Sequence, residues 1–408
     1  MAVGETSFPG IHPVTGVRIG VISAGIKKPG RKDLVVFEIC PTSTIAGVFT
    51  QNAFCAAPVH IARQHLQQGD ASNPRYLLIN TGNANAGTGE TGFSNALQTC
   101  IALAEKVNQA AVQVLPFSTG VIGEPLPVDR IIAGLDKALT DLSASNWANA
   151  AQGIMTTDTR PKGSSLRIEI DGKPVVISGI AKGAGMIKPN MATMLGYVAT
   201  DMAIPQSELQ SLLATVNEKS FNRITVDGDT STNDSVMLIA TGQSGINYAN
   251  LNKTQQDVLI AALHHVFTDL AQQIIRDGEG ATKFVTVKVE KAATSREALQ
   301  VAYAVAESPL VKTALFASDP NWGRILAAIG RAGLPELDVR AISISLNDVQ
   351  IVNQGGRAAS YTEQSGQAEM DKEEITIAIN LQRGNVQETV WTTDLSHDYV
   401  TINAEYRT

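Results

Sequence analysis

The sequence predicts a layered α/β protein. Three observations carry this. Strand-like runs alternate with helical runs along the chain, several strands alternate apolar and polar residues with period two, and the helices between them carry a single apolar face. Antiparallel strand character beside amphipathic helices differs from a simple doubly wound sheet. The 408 residues are 44% hydrophobic and 17% charged, with 34 Gly and 16 Pro. That composition supplies core for two or three structural units and excludes disordered, collagen-like and coiled-coil classes. Aromatics make up only 5%, so Ala, Val, Ile and Leu must build the core.

In chain order, strand-like runs fall at 16–22, 34–40, 76–80, 111–115, 165–170, 174–180, 236–240, 284–289, 339–346 and 374–381. Two-residue periodicity is clearest at Leu166, Ile168 and Ile170, at Ile342, Ile344 and Leu346, and at Ile375, Ile377 and Ile379. A helix is predicted over 127–142, where Ile131, Ile132, Leu135, Ala138 and Leu139 share one face. The longest helix is predicted over 255–277, closed by Gly278, and a third runs over 294–307 with Thr294 and Glu297 at capping-box spacing. No internal repeat, low-complexity tract or long linker interrupts the pattern.

Net charge is −7, and no basic cluster exceeds a few residues, as at Lys27, Lys28, Arg31 and Lys32. This argues against a nucleic-acid or anionic-membrane surface. Cys40, Cys55 and Cys100 form no C-x-x-C pair and are odd in number, so they are expected to be reduced, buried apolar residues. No run approaches 18 apolar residues, and the amino-terminus lacks a signal pattern. A cytoplasmic location is expected.

Standard catalytic templates are absent. The Gly-rich stretch 82–92 lacks the Lys and hydroxyl of a phosphate loop and reads as a tight turn before a helix at Phe93. There is no G-x-S-x-G, and His264 and His265 have no carboxylate or thiol at ligand spacing, so they read as helix-surface residues. The most unusual stretch is 180–201, IAKGAGMIKPNMATMLGYVATD. Gly-rich and Pro-Asn turns lead abruptly into an apolar run, with the hydroxyl of Thr193 at the junction. On its own composition this is a turn entering a buried strand. It also has the arrangement of an N-terminal nucleophile: a hydroxyl attacks the preceding carbonyl, the peptide becomes an ester, and water cleaves it. The freed α-amine, with a reference pKa of about 7.7–8.0, then serves as base to the same hydroxyl. Ala192 is small enough to leave that attack open.

The stretch IAKGAGMIKPNMATML resembles the self-cleavage signature of the ornithine acetyltransferases, the bifunctional glutamate N-acetyltransferases of arginine biosynthesis. Seven further motifs extend the resemblance over most of the chain: TGNANAGTG (81–89), STGVIGE (118–124), MTTDTRPK (155–162), DGDTSTND (227–234), DGEGATK (277–283), DPNWGR (319–324) and INAEYRT (402–408). The resemblance implies an αββα sandwich of the self-processing N-terminal-nucleophile type, with a smaller C-terminal lobe. It implies cleavage between Ala192 and Thr193, giving an alpha chain of 1–192 and a beta chain of 193–408 that associate as an α2β2 heterotetramer. Thr193 would take acetyl from N-acetylornithine, release ornithine, and pass the acetyl to glutamate in a ping-pong reaction. Thr119 and Gly120 would form the oxyanion hole, and Thr156, Lys182, Thr193, Glu279, Asn403 and Thr408 would bind substrate. Lys182 suits a substrate carboxylate and Glu279 an ammonium. The resemblance implies no metal and no cofactor, with acetyl-CoA a second candidate donor. The 227–234 and 319–324 motifs, without the closing Glu of a Ca²⁺ loop, are expected to support the site through turns and hydrogen bonds.

Two other classes stay open on the sequence: a self-processed amidase or aminopeptidase, in which water accepts the acyl group, and an unprocessed small-molecule binder using the Gly-rich loops as clamps. Residues 1–192 carry 16 basic and 13 acidic residues, while 193–408 carry 16 and 26. Opposite net signs suit two chains that remain together.

Overall fold

A computed structural model describes residues 2–4, 7–68, 75–188 and 194–405. The chain forms two compact units. One comprises Ser7–Asn222 and Thr230–Ile274, and the other Met1–Thr6, Arg223–Asp229 and Ile275–Thr408.

The first unit is the sandwich. It contains strands β1 (Val17–Ile22), β2 (Leu34–Ile39), β3 (Thr44–Phe49), β4 (Tyr76–Asn83), β5 (Val114–Val121), β6 (Lys162–Ile170), β7 (Lys173–Lys182), β8 (Leu195–Thr200) and β9 (Ser235–Ala240). Its helices are α1 (Ala57–Gln67), α2 (Gly89–Lys106), α3 (Val128–Thr140), α4 (Trp147–Gly153) and α5 (Gln206–Glu218), together with most of α6 (Lys253–Arg276). One sheet has the order β1-β2-β4-β5, the other β3-β9-β8-β7-β6. Within the first sheet only β4 and β5 are parallel, and within the second only β8 and β9.

The strands bury alternate faces because successive side chains point to opposite sides of a sheet. Val35, Phe37, Leu77, Ile79, Leu115 and Phe117 from one sheet meet Ile45, Ile180, Leu195, Tyr197, Met237 and Ile239 from the other. Phe37 lies tilted against Tyr197 and Phe117 meets it edge to face, with ring centroids 5.4 and 5.3 Å apart. On the outer face of the first sheet, Leu34, Val36 and Leu78 pack with Cys100 and Leu103 of α2 and Ile131 and Leu135 of α3. On the outer face of the second, Leu270 of α6 lies over Gly179 of β7, and the Gln273 amide bonds both the N–H and the C=O of Gly163 in β6. Helix α5 covers β3 and β9. The layers are therefore αββα.

Helix α6 is long and apolar enough by composition to cross a membrane, although the uninterrupted apolar run expected of a span is missing from the sequence. Its apolar residues Leu259, Leu263, Val266, Phe267, Leu270 and Ile274 are fully buried in the sandwich unit, which makes it a core helix. His264 and His265 lie on its exposed side.

The second unit has its own core. A sheet of order β13-β12-β11-β14-β10-β15 is built from β10 (Phe284–Ala292), β11 (Ser343–Leu346), β12 (Val349–Asn353), β13 (Gly356–Arg357), β14 (Glu374–Asn380) and β15 (Val386–Thr393). Helices α7 (Ser295–Ala306), α8 (Pro309–Phe316), α9 (Trp322–Gly330), α10 (Glu363–Met370) and α11 (His397–Ala404) complete it. Val285, Val287, Ile344, Ile375, Ile377 and Ile379 from the sheet pack with Val301 and Val305 of α7 and Ile325 and Ile329 of α9. The Thr294 hydroxyl caps α7 by accepting from the Glu297 N–H at 3.1 Å.

The 319–324 motif is the start of α9. The Asn321 side chain accepts from the Arg324 N–H at 3.1 Å, the Arg324 guanidinium donates to the Leu310 carbonyl at 2.8 Å, and Trp322 packs on the core. It supports this unit's own packing. Cys100 is buried as expected, whereas Cys40 and Cys55 are half-buried because each sits at a strand or helix entrance.

Candidate active site

Strands β4 and β5 end side by side, and there the ladder shifts register around Gly82 and Asn83. Gly120 adopts φ +135° at this point, and a Cβ on it would lie 2.3 Å from the Gly82 carbonyl carbon. Only glycine permits that approach. Thr119, buried beside it, is the next residue toward the strand interior.

Lys182 closes β7, in register with Leu195, the first residue of β8. Its ammonium donates to the Thr119 hydroxyl oxygen at 3.3 Å. With a lone pair of the oxygen so engaged, the hydroxyl proton remains available to a developing oxyanion. The structure thus brings Thr119, Gly120 and Lys182 together at the start of β8. Ala192 and Thr193, which precede β8 in sequence, lie outside the described residues, as does Thr408.

Beneath this corner is a charged pair that the sequence reading did not single out. Asp158, with no exposed side-chain surface, accepts from the Lys162 ammonium at 2.6 Å and the Gly183 N–H at 2.7 Å through Oδ1, and from the Thr156 N–H at 2.9 Å through Oδ2. Burial alone would raise its pKa. The charges of Lys162 and then Lys182, with these hydrogen bonds, hold the carboxyl well below the usual carboxylate range. Asp158 thereby ties the Thr156 loop to the turn after Lys182. The Arg31 guanidinium holds the same loop from the other side, donating to the carbonyls of Met155 and Thr156 at 2.6 and 2.9 Å. The only available signal was the position of Asp158 and Lys162 inside the 155–162 motif.

Asp234 is a second buried carboxyl of the sandwich unit. Burial pushes its pKa well up, against the opposing effects of hydrogen bonds from Ser231 and the charge of Lys182. Its Oδ2 has no hydrogen-bond partner among the described residues. The rest of its motif is tied down: the Thr50 hydroxyl donates to the Ser231 carbonyl at 2.7 Å, and the Ala56 N–H to the Thr232 carbonyl at 2.9 Å. This agrees with a hydrogen-bonding role for 230–234. The Gly-rich stretch differs from the turn expected, since α2 already begins at Gly89.

Glu279 and Asn403 belong to the second unit. Glu279 sits in the turn between α6 and β10, buried, and accepts from the Asn403 side-chain amide at 2.8 Å. Gly280 at φ +70° lets this turn run under α11, where a Cβ would lie 2.5 Å from the Ser396 hydroxyl and 2.6 Å from the Tyr399 N–H nitrogen. One turn before Asn403, the Tyr399 phenol donates to Asp227 Oδ2 at 3.2 Å. Burial and then the adjacent Asp227 carboxylate push its pKa up. The result is an anionic corner, suited to an ammonium group.

Comparison with known proteins gives a consistent result. A model of the ArgJ family matches residues 18–408. The chain is 58% identical over 411 residues to the arginine biosynthesis bifunctional protein ArgJ of Pseudomonas fluorescens, and 59% identical over 409 residues to that of Pseudomonas syringae pv. tomato, with 100% of each chain covered in both cases. It is also similar to the ornithine acetyltransferase of Mycobacterium tuberculosis, whose structure was solved with ornithine, at 33% identity and a TM-score of 0.38, covering 44% of this chain and 94% of that one.

Proposed function

The chain belongs to the ArgJ family, and from that premise we propose how its residues carry the reaction. It is a glutamate N-acetyltransferase (ornithine acetyltransferase) of arginine biosynthesis, bifunctional like its relatives, with amino-acid N-acetyltransferase as its second activity. Its substrates are N-acetylornithine and glutamate, with acetyl-CoA as the donor of the second activity. The observation that carries the residue assignment is the corner where Lys182 bonds Thr119, beside Gly120 and at the first residue of β8.

Maturation begins when the Thr193 hydroxyl attacks the Ala192 carbonyl. The C–N bond gives way to an ester, and water hydrolyses that ester to an Ala192 carboxylate, freeing the Thr193 hydroxyl and α-amine. In the first half-reaction the amine takes the hydroxyl proton as the oxygen attacks the acetyl carbonyl of N-acetylornithine. The Gly120 N–H and Thr119 hydroxyl stabilise the oxyanion, with the Lys182 charge behind them. The intermediate collapses with loss of the C–N bond, the ammonium returns its proton to the leaving amine, and ornithine departs. In the second half-reaction the glutamate amine attacks the acetyl-threonyl ester, and N-acetylglutamate leaves. By their chemistry, Thr156 and Lys182 suit a substrate carboxylate, and Glu279 and Asn403 an ammonium group. Thr408 completes the set in this proposal. The chain is cytoplasmic and works as an α2β2 assembly.

Thr193→Ala tests this reading. The variant is expected to run as one full-length band on a denaturing gel and to transfer no acetyl from N-acetylornithine to glutamate. Wild-type transfer by the variant would overturn the assignment. In the wild type, release of acetate without transfer would point to a hydrolase instead.

A further inference from the structure

We propose that Asn233 is a positioning residue that sets the oxyanion donors against the nucleophile. The inference rests on the reading of Thr119, Gly120 and Thr193 given above. The Asn233 side chain is buried, and its amide is used almost completely. One Nδ2 hydrogen goes to the Ser118 carbonyl at 2.9 Å and the other to the Ala84 carbonyl at 2.6 Å. Its Oδ1 accepts from the Thr232 hydroxyl at 2.6 Å. Two carbonyls on one end and a hydroxyl on the other fix the amide in one orientation.

These contacts are placed where the register of the sheet fails. Ser118 immediately precedes Thr119 and Gly120, and Ala84 follows the shift at Gly82 and Asn83. Asn80 and Ser118 pair regularly before the shift and the Ala84 N–H still donates to the Val121 carbonyl at 2.9 Å after it, so the amide bridges the two strand ends across the irregularity. Two residues further on, the Ser235 N–H donates to the Met194 carbonyl at 2.9 Å, and Ser235 stands in register with Leu195. Met194 is the residue that follows Thr193 in sequence. The three residues 233–235 therefore hold the oxyanion strand at one end and the nucleophile's strand at the other. Their length sets the distance between the Thr119–Gly120 end of β5 and the start of β8. A misplacement of about 1 Å costs on the order of 100-fold in rate, whereas substrate binding depends on other residues.

The test is a cycle of Asn233→Ala and Thr119→Ala, with transfer measured per cleaved chain. Asn233→Ala is expected to lower kcat by about 10- to 100-fold at nearly constant KM. In the Thr119→Ala background it should cost clearly less than it does alone, because one of the two donors it positions is gone. Asn217→Ala, another buried amide whose side chain bonds only Asn222 among the described residues, is the stability control and keeps kcat. Thr232→Val leaves both Nδ2 donors but frees the amide to turn, and it should lower kcat several-fold. If Asn233→Ala fails to fold, an unchanged kcat in Thr232→Val overturns the proposal. So does a wild-type kcat in Asn233→Ala, or an effect that multiplies fully with that of Thr119→Ala. Undiminished activity in Thr119→Ala alone would instead overturn the oxyanion reading.

Discussion

A carboxylate without exposed surface stands only while its partners stand. Asp158 has Lys162, two backbone amides and the nearby charge of Lys182. Asp158→Ala strands a buried ammonium and should cost about 3–5 kcal/mol, read by denaturant unfolding. Because the folded carboxyl is held below its ordinary value, its stabilisation is present above the unfolded pKa and is lost as pH falls below it. Wild-type stability should therefore drop more steeply below about pH 4 than that of Asp158→Asn. Gly120→Val places a side chain against the Gly82 backbone and would displace the N–H proposed as an oxyanion donor. A fall in kcat of about 100-fold or more at similar KM is expected, and a rise in KM at unchanged kcat would contradict the assignment. The motifs put Thr119, Gly120 and Lys182 forward, and the structure brings these three together. Asp158 and Asn233 were not legible in the sequence, because their roles depend on burial and on partners brought from distant positions. Asn233 reaches carbonyls 115 and 149 residues away, and no local spacing encodes that.

At the scale of elements, periodicity worked where one face is buried and the other wet. Strands β6, β11 and β14 and helix α3 appear where alternation or a single apolar face predicted them. It failed where short-range hydrogen bonds intervene. The run at 339–346 begins with a 3₁₀ turn, because the Asp338 side chain captures the Arg340 N–H at 3.0 Å, and the strand starts only at Ser343. The run at 111–115 likewise opens as a 3₁₀ turn, after which β5 continues to Val121 through Pro116 and Gly120, residues that ordinarily end strands. Strands β12 and β15 went unread, being short or rich in polar residues, and so did the mostly apolar β3. The junction of α8 and β15 carries its own prediction. Buried Lys312 donates to the Thr392 hydroxyl and the Thr393 carbonyl. Burial lowers its pKa to about 8, against the raising effects of Asp394, Asp227 and Glu307. Between about pH 8 and 10.5 the folded chain has released this proton and the unfolded chain has not, so stability rises with pH across that window. Urea unfolding should show wild type gaining on Lys312→Met by up to roughly 3 kcal/mol over that range.

At the scale of the molecule, the proposed cut does not separate the compact units. The second sheet of the sandwich runs β3-β9-β8-β7-β6, so strands from 1–192 flank the pair contributed by 193–408. The two pieces should give two bands on a denaturing gel and one species in native sedimentation, and separation without denaturant would contradict the interleaved sheet. Strand β8 is interior, hydrogen-bonded to β7 on one side and β9 on the other. Its insertion is local and unimolecular while the chain is whole. Once the chain is cut, refolding becomes a second-order encounter between two polypeptides, and its rate and yield should climb with protein concentration. The precursor should regain structure after dilution from urea at any concentration, and the mature enzyme only when concentrated. Cleavage thus exchanges reversible folding for persistence governed by the rate at which an interior strand can escape its two neighbours.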